Sequence, residues 1–178
     1  MAVGAYVVGV FTVPVDLRPN VFYAVPMNPM IADIQLPLWL ALLFGGLLAA
    51  LIAFLIGWPV LRLRGDYLAI ATLGFSEIIR ILITNAQSWT NGALGIKDIP
   101  ALNDVRYIFI ATAITFLFVT CLINSSYGRA FKAIREDEIA AEAMGVGLFK
   151  HKCMAFMLSA FFAGIGGVFS ERSGVVNI

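Results

Sequence analysis

Residues 124–152 read NSSYGRAFKAIREDEIAAEAMGVGLFKHK, a charged stretch with a strongly apolar run on either side, at 107–123 and 153–169. Each run approaches the length of about 20 residues that an α-helix needs to cross a bilayer, so the stretch between them must lie in water. It holds five Lys or Arg and four Asp or Glu side chains. Because an excess of Lys and Arg beside spans is typical of the cytoplasmic side, residues 125–152 are predicted to form a cytoplasmic segment.

The residue pattern within this segment is helical. Positions of one helix face recur there at three- and four-residue steps. Phe131, Ile134 and Glu138 form one such set. Ile139, Ala143 and Met144 form the other. A water-exposed segment that folds into short amphipathic helices presents an apolar stripe, and such a stripe is a typical docking surface for a soluble partner protein.

The composition of the whole chain favours a membrane protein. Of its 178 residues, 61% are hydrophobic and 13% are charged, and the mean hydropathy is +0.92. A soluble domain of this size could not bury so much apolar surface, so the bilayer is the predicted solvent. The net charge of +1 gives no reason to expect nucleic acid as a partner. We therefore predict an all-α polytopic integral membrane protein with about four to five spanning helices in one domain, residues 1–178.

Three further apolar runs complete this expected architecture. Residues 36–61 form a full-length span in which small residues recur every four positions and would let a neighbouring helix approach closely. These are Gly45, Ala49, Ala53 and Gly57. Residues 67–84 are long enough to cross, at about 27 Å, although a segment that dips and returns is the alternative. Residues 1–15 are interpreted as the tail of a span, which Pro14 ends.

Two ionisable residues, Glu77 and Arg80, lie inside the run 67–84. Glu77 lies about 16 Å into the span, near the bilayer midplane, where charged groups are costly and usually functional. The three-residue spacing lets the two charges neutralise each other, and Thr72 and Ser76 add hydroxyls to the same helix. Three interpretations stay open: an ion pair that links helices, a role on a solute pathway, and a shallower placement of the helix.

The sequence contains no recognisable catalytic constellation. It has no GxxxxGK[ST] loop for nucleotide phosphates and no HExxH or GxSxG motif. The acidic run 136–138 lies among basic residues and is interpreted as a solvated, salt-bridged face rather than a metal site. Cys121 and Cys153 lack metal-ligand spacing and are predicted to be free, buried thiols. We therefore expect neither an enzyme nor a cofactor-binding protein.

Three stretches resemble the branched-chain amino acid permeases of bacterial ABC importers, in particular those of the LivM type. They are GDYLAIATLGFSEIIRILI at 65–83, TNGALGI at 90–96 and YGRAFKAIREDEIAAEAMGV at 127–146. The resemblance covers about residues 36–169, and the last stretch is its most specific part. Family members often carry a second glycine where Asn91 stands, and Asn also tolerates the left-handed backbone that such a turn can need.

The resemblance implies that residues 128–145 form the coupling region on which an ATP-hydrolysing subunit docks. The positions that match the family pattern are Gly128, Arg129, Lys132, Ala133, Arg135, Glu136, Asp137, Glu138, Ala141, Ala143, Met144 and Gly145. Phe131 joins this set as part of the apolar stripe. Gly128 and Gly145 would bound the docked helices, and the charges would fix their register. For a translocation path, the candidates are Thr72, Ser76, Glu77 and Arg80.

The resemblance also implies partners and a location. These are ABC ATPase subunits, a second permease subunit, a periplasmic amino-acid-binding protein and membrane lipid, in the bacterial inner membrane. Relatives that carry urea or short amides look similar, so the solute stays open. An ion-coupled secondary transporter, with Glu77 as its ion site, is a second class of function that stays open. A membrane scaffold or a membrane enzyme is a third. Since such permeases continue with further spans, the chain is interpreted as a fragment.

Overall fold

A computed structural model describes residues 2–18, 34–63, 66–86 and 105–172. Within these ranges the chain is helical and contains no strand. The elements are α1 (Ala2–Thr12), a 3₁₀ turn (Val15–Leu17), α2 (Leu38–Val60), α3 (Asp66–Asn85), α4 (Val105–Asn124), α5 (Ser126–Glu136), α6 (Glu138–Ala143) and α7 (Leu148–Arg172). The stretch 90–96, which contributes to the family resemblance, lies outside the described residues.

Among the described residues, four helices are long and apolar enough to cross a membrane. They are Leu38–Val60, Tyr67–Asn85, Arg106–Asn124 and Leu148–Phe169. The prediction of an all-α polytopic membrane protein is therefore confirmed. Helix α3 is one continuous helix of 20 residues, about 30 Å long, rather than a segment that dips and returns. Helix α1 is apolar but has only 11 residues.

The core lies where α1, α2 and α7 pack against one another. The predicted small-residue stripe of α2 faces this junction, and all four of its members are buried. A Cβ atom added at Gly45 would lie 2.7 Å from a methyl of Val8, and one at Gly164 would lie 3.0 Å from the Cβ of Ala49. The helix backbones thus approach as closely as small residues permit, which is how helices associate in lipid.

Helices α3 and α4 lie outside this core. None of the residues in their spanning windows is buried within the chain. Consequently the prediction of two buried cysteines is only half right: both thiols are free, and Cys153 on α7 is buried, but Cys121 on α4 is exposed. Cys121 is exposed because α4 contributes no side chain to the packed core.

Candidate functional site

The polar segment, residues 125–147, connects α4 to α7 and begins with a tight turn. The Ser125 hydroxyl donates to the Leu122 carbonyl at 2.6 Å and accepts from the Gly128 amide at 3.3 Å, which caps α5. Gly128 is buried, and a Cβ atom there would overlap the Ile123 carbonyl and lie 2.5 Å from the Leu122 oxygen. Only glycine lets α5 lie this close beneath the end of α4.

Helix α6 is fixed at both of its ends. At the start, the Asp137 carboxylate accepts hydrogen bonds from the backbone amides of Ile139 at 2.8 Å and Ala140 at 3.1 Å. At the end, Gly145 has a φ of +84°, which is a left-handed conformation that favours glycine. The Val146 amide then donates to the Ala141 carbonyl at 3.0 Å, which completes a Schellman motif. Six residues can therefore hold a defined helix in water.

The three acidic side chains of residues 136–138 each have a different partner. Glu136 forms an exposed ion pair with Arg135 at 2.6 Å, and Asp137 caps α6. Glu138 forms an ion pair of 2.6 Å with Lys152 on α7, and 21% of the Lys152 side chain is exposed. Within the residues that the structure describes, no group of three or more potential metal ligands occurs.

The apolar stripe of α5 faces inward rather than outward. Ile134 is only 9% exposed, and the half-buried Phe131 ring meets the His151 imidazole edge-on, with 6.1 Å between ring centroids. The stripe thus attaches α5 to the beginning of α7. Phe131, expected from the sequence to face a partner, is already in contact with this chain.

The most exposed large apolar side chains of the polar segment lie on and just after α6. Ile139 is 75% exposed and Met144 is 85% exposed. The remaining predicted coupling residues divide by exposure. Arg129, Lys132, Arg135, Glu136, Asp137 and Gly145 are exposed, whereas Gly128 is buried and Glu138 is half-buried. Ile139 and Met144 are therefore the most exposed large apolar side chains of a segment that is otherwise rich in charge.

The end of α2 meets the beginning of α7 beside α6. The Arg62 guanidinium lies 5.5 Å from the ring centroids of both Trp58 and Phe149, and those two rings are themselves 5.5 Å apart. A cleft of about 620 Å³ opens there between Arg62, Phe149 and Glu142. Nothing in the local sequence pattern pairs Arg62 with a ring 87 residues away, so this contact was not predicted.

The predicted translocation residues share α3. The Arg80 guanidinium lies 3.1 Å from the Glu77 carboxylate, so the expected pair forms, with 75% and 56% of the respective side chains exposed. The hydroxyls of Thr72 and Ser76 donate to carbonyls of their own helix at 2.8 Å and 2.7 Å. These hydroxyls do not link α3 to another described helix. An exposed ion pair on a spanning helix needs protein or water beside it rather than hydrocarbon.

We expect Glu77→Gln to reduce assembly or transport, because it leaves the Arg80 cation unpaired within the membrane. An unpaired Arg at the centre of a span costs about 3 kcal/mol on insertion scales. The measurements are the amount of protein in the membrane and solute uptake by the complete transporter.

Adding Arg80→Gln to Glu77→Gln removes the unpaired charge and separates charge neutralisation from a role on the path. If the pair serves only to neutralise its own charges within the membrane, the double variant regains both assembly and uptake, whereas a role on the path leaves uptake low. Wild-type uptake by Glu77→Gln alone would contradict both.

Comparison with known proteins assigns the chain to a family. The family model described as the branched-chain amino acid transport system permease component matches residues 1–177. The LivM high-affinity branched-chain amino acid permease of Escherichia coli is 38% identical over 78% of this chain and 41% of its own length. A probable LivM of Methanocaldococcus jannaschii is 29% identical over 68% of this chain and 39% of its own length.

More distant relatives carry other names. The nucleoside ABC transporter permease NupC of Lactococcus lactis is 24% identical over 72% of this chain and 47% of its own length. No solved structure matches the chain. The chain spans about two fifths of the length of the LivM relatives it matches. With a family match along nearly its whole length and four membrane-length helices, the chain belongs to the permease component family of branched-chain amino acid transport systems.

Proposed function

We propose that the chain is part of a membrane-spanning permease subunit of an ATP-driven ABC importer, which moves leucine, isoleucine and valine across the bacterial inner membrane. The polar segment is the place where an ATP-hydrolysing subunit docks. The observation that carries this proposal is the exposed apolar pair Ile139 and Met144 on a helix capped at both ends. An apolar surface in water, held rigid and surrounded by charge, is typical of a protein-binding site.

The geometry suits a helix that enters a groove. Ile139 and Met144 supply the apolar anchors, while Arg129, Lys132 and Arg135 supply exposed positive charges on the preceding helix α5. Charges at the rim of an interface mainly steer association and set the register, whereas the buried apolar anchors supply most of the binding energy. In the docked complex the anchors would lie in a groove of the ATPase.

The division of labour follows from what the sequence contains. It has no Walker-type phosphate-binding loop, so ATP hydrolysis is assigned to a separate subunit. A second permease subunit would complete the path, and a periplasmic binding protein would deliver the solute. Docking at the polar segment would turn ATP binding and hydrolysis into a rigid-body movement of the spanning helices.

The solute is inferred from the relatives. Those at 37–38% identity are named as branched-chain amino acid permeases, whereas those named for nucleosides or guanosine are 24–27% identical. Branched-chain amino acids are therefore the first candidates, with urea or short amides as the alternative class. Competition of labelled leucine uptake by unlabelled isoleucine, valine, urea and a nucleoside would rank them directly.

An ion-coupled transporter is the alternative function. The position of Glu77 within a span favours it, since a carboxylate there can carry a proton. The two mechanisms differ in their energy source. Uptake that persists without ATP and collapses when the proton gradient is dissipated would support ion coupling. Uptake that follows ATP in the presence of an uncoupler would support the importer.

We expect Ile139→Asp combined with Met144→Asp to abolish co-purification of the ATPase while membrane insertion stays intact. Each substitution places a charge where an apolar anchor would be buried, and loss of a central anchor weakens binding by about 2 kcal/mol or more. Binding should therefore fall by a factor of about 30 or more. The matched control is Ile139→Leu with Met144→Leu, which keeps the apolar surface and should keep binding. Normal recovery of the ATPase with the Asp pair would remove α6 as the docking helix.

A further inference from the structure

We infer that the ion pair between Glu138 and Lys152 is the positioning contact that transmits movement of α6 into the spanning helix α7. The inference rests on the proposed function, because it names the route by which docking at α6 reaches the membrane. Lys152 acts through Glu138 and touches no solute or nucleotide. Its role is to hold α6 and α7 in one orientation.

The connections of α6 through the backbone are poorly suited to transmit force. On its N-terminal side the backbone changes direction at Asp137, whose φ of −154° is extended rather than helical. On its C-terminal side the left-handed Gly145 and then Gly147 precede α7. Ala141 is the one buried side chain of α6, and a contact this small leaves α6 able to rotate about these joints with little effect on α7. The Glu138 carboxylate is 2.6 Å from the Lys152 ammonium and bridges 14 residues of sequence, which closes that gap.

The environment of the pair makes it a stronger link than an ordinary surface ion pair. The Lys152 side chain is 21% exposed and the Glu138 side chain is 44% exposed. In the neighbouring Arg135–Glu136 pair the values are 78% and 70%. Water and salt weaken the attraction between exposed charges, whereas partial burial preserves it. The Glu138–Lys152 ion pair therefore restrains α6 more strongly than its N–O distance of 2.6 Å alone would indicate.

Movement of Lys152 would carry the core with it. Phe149, three residues before Lys152, packs on Trp58 of α2 with 5.5 Å between ring centroids. Further along α7, a Cβ atom added at Gly57 of α2 would lie 3.2 Å from the Phe156 ring, and Gly164 lies against Ala49. Because α7 and α2 are in close contact along their length, they would move as one body with α1. No residue in the spanning windows of α3 and α4 is buried, and α4 meets α7 through the partly exposed rings of Phe118 and Phe162, so the movement would be relative to these two helices.

The test uses the complete transporter in proteoliposomes, with its binding protein, and compares Lys152→Glu, Glu138→Lys and the exchange of both residues. Lys152→Glu, which alters no predicted docking residue, should leave the ATPase bound and hydrolysing but lower the solute transported per ATP hydrolysed by about fivefold or more, and Glu138→Lys should lower the same ratio. The exchange should restore the ratio to within about twofold of the unaltered transporter, because the opposite charges meet again. Lys150→Glu is the matched control, since it makes the same charge change two residues away on the exposed face of α7.

A second measurement follows the orientation of α6 directly. Spin labels at Ala143→Cys and Ala155→Cys, with the exposed Cys121 replaced by Ser, report the distance between α6 and α7. We expect a narrow distribution that Lys152→Glu broadens and the exchange narrows again. An unchanged distribution, an unchanged transport ratio, or failure of the exchange to rescue either would overturn the inference. Absence of bound ATPase from the unaltered transporter would instead refute the proposed function, which keeps the two failures distinct.

Discussion

Gly128→Ala is expected to be the most damaging single-methyl change in the polar segment. In an ordinary helical position, replacing glycine with alanine stabilises a protein by up to about 1 kcal/mol. Here the new Cβ would overlap the backbone carbonyl of Ile123, and the carbonyl of Leu122 is also within reach. Backbone atoms cannot move aside as a flexible side chain can, so α5 must separate from the end of α4. We expect a net destabilisation of about 3 kcal/mol or more, at the upper end of what overpacking costs.

The consequence of Gly128→Ala should be lost ATPase binding together with a lower unfolding temperature in detergent. Displacement of α5 also moves α6, and with it the proposed docking pair. Two glycines provide controls because a Cβ atom would meet nothing within 4 Å at either one: Gly74, inside α3, and Gly147, in the polar segment. Neither alanine variant should be destabilised, and Gly74→Ala, within a helix, should be as stable as the unaltered protein or slightly more stable. If Gly128→Ala unfolds at the same temperature as Gly74→Ala, the close approach of α5 to α4 is wrong.

Gly4→Ala is expected to separate the core helices. A Cβ atom at Gly4 would lie 2.5 Å from the Cα atom of Gly164 and 2.6 Å from its carbonyl oxygen. Since Gly164 also packs against α2, α1 cannot retreat without opening the junction of all three helices. We expect a loss of about 1–3 kcal/mol of stability, measured by thermal or detergent-induced unfolding of the purified protein.

Gly166→Ala is the control for the core prediction. Gly166 lies on α7 only two residues after Gly164, yet a Cβ atom there would meet nothing within 4 Å. Gly164 and Gly166 point to opposite sides of α7. Gly166→Ala therefore adds a methyl to the same helix without entering the contact between Gly4 and Gly164. Equal unfolding temperatures for Gly4→Ala and Gly166→Ala would show that α1 does not touch α7 at Gly4.

The predictions for Gly4→Ala and Gly128→Ala concern different parts of the molecule. Gly4→Ala tests the body formed by α1, α2 and α7, which would move as a unit during transport. Gly128→Ala tests the turn that places the polar segment beneath α4. The ion pair of Glu138 and Lys152 and the contact of Gly4 with Gly164 lie on one route from the proposed docking helix through α7 to the membrane core.

The sequence by itself predicted the helices well where hydropathy carries the information. The span expected at 36–61 is Leu38–Val60, and the one expected at 67–84 is Asp66–Asn85. The last span was expected at 153–169, whereas α7 covers Leu148–Arg172. Hydropathy detects the part of a helix that lipid surrounds. It does not detect the turns at either end, where charged residues such as Lys150 and Lys152 continue the helix into water.

Which face of each helix meets a neighbour was decided by the tertiary structure. From the sequence, the stripes of α5 and α6 looked alike, and both were candidates for a partner. Packing against His151 turns Phe131 inward and leaves Ile139 and Met144 in solvent. Likewise, spacing alone predicted the Glu77–Arg80 pair, three residues apart, but not the Glu138–Lys152 pair, which depends on how α6 folds back on α7.

The sequence thus determined that this is a multi-pass helical membrane protein with a charged segment between the spans α4 and α7, because span length and charge placement are local properties. Only the tertiary structure decided which side chains of that segment are available to a partner and which hold it to the spans. Those choices depend on contacts between residues distant in sequence, such as Gly4 with Gly164, for which local periodicity contains no signal.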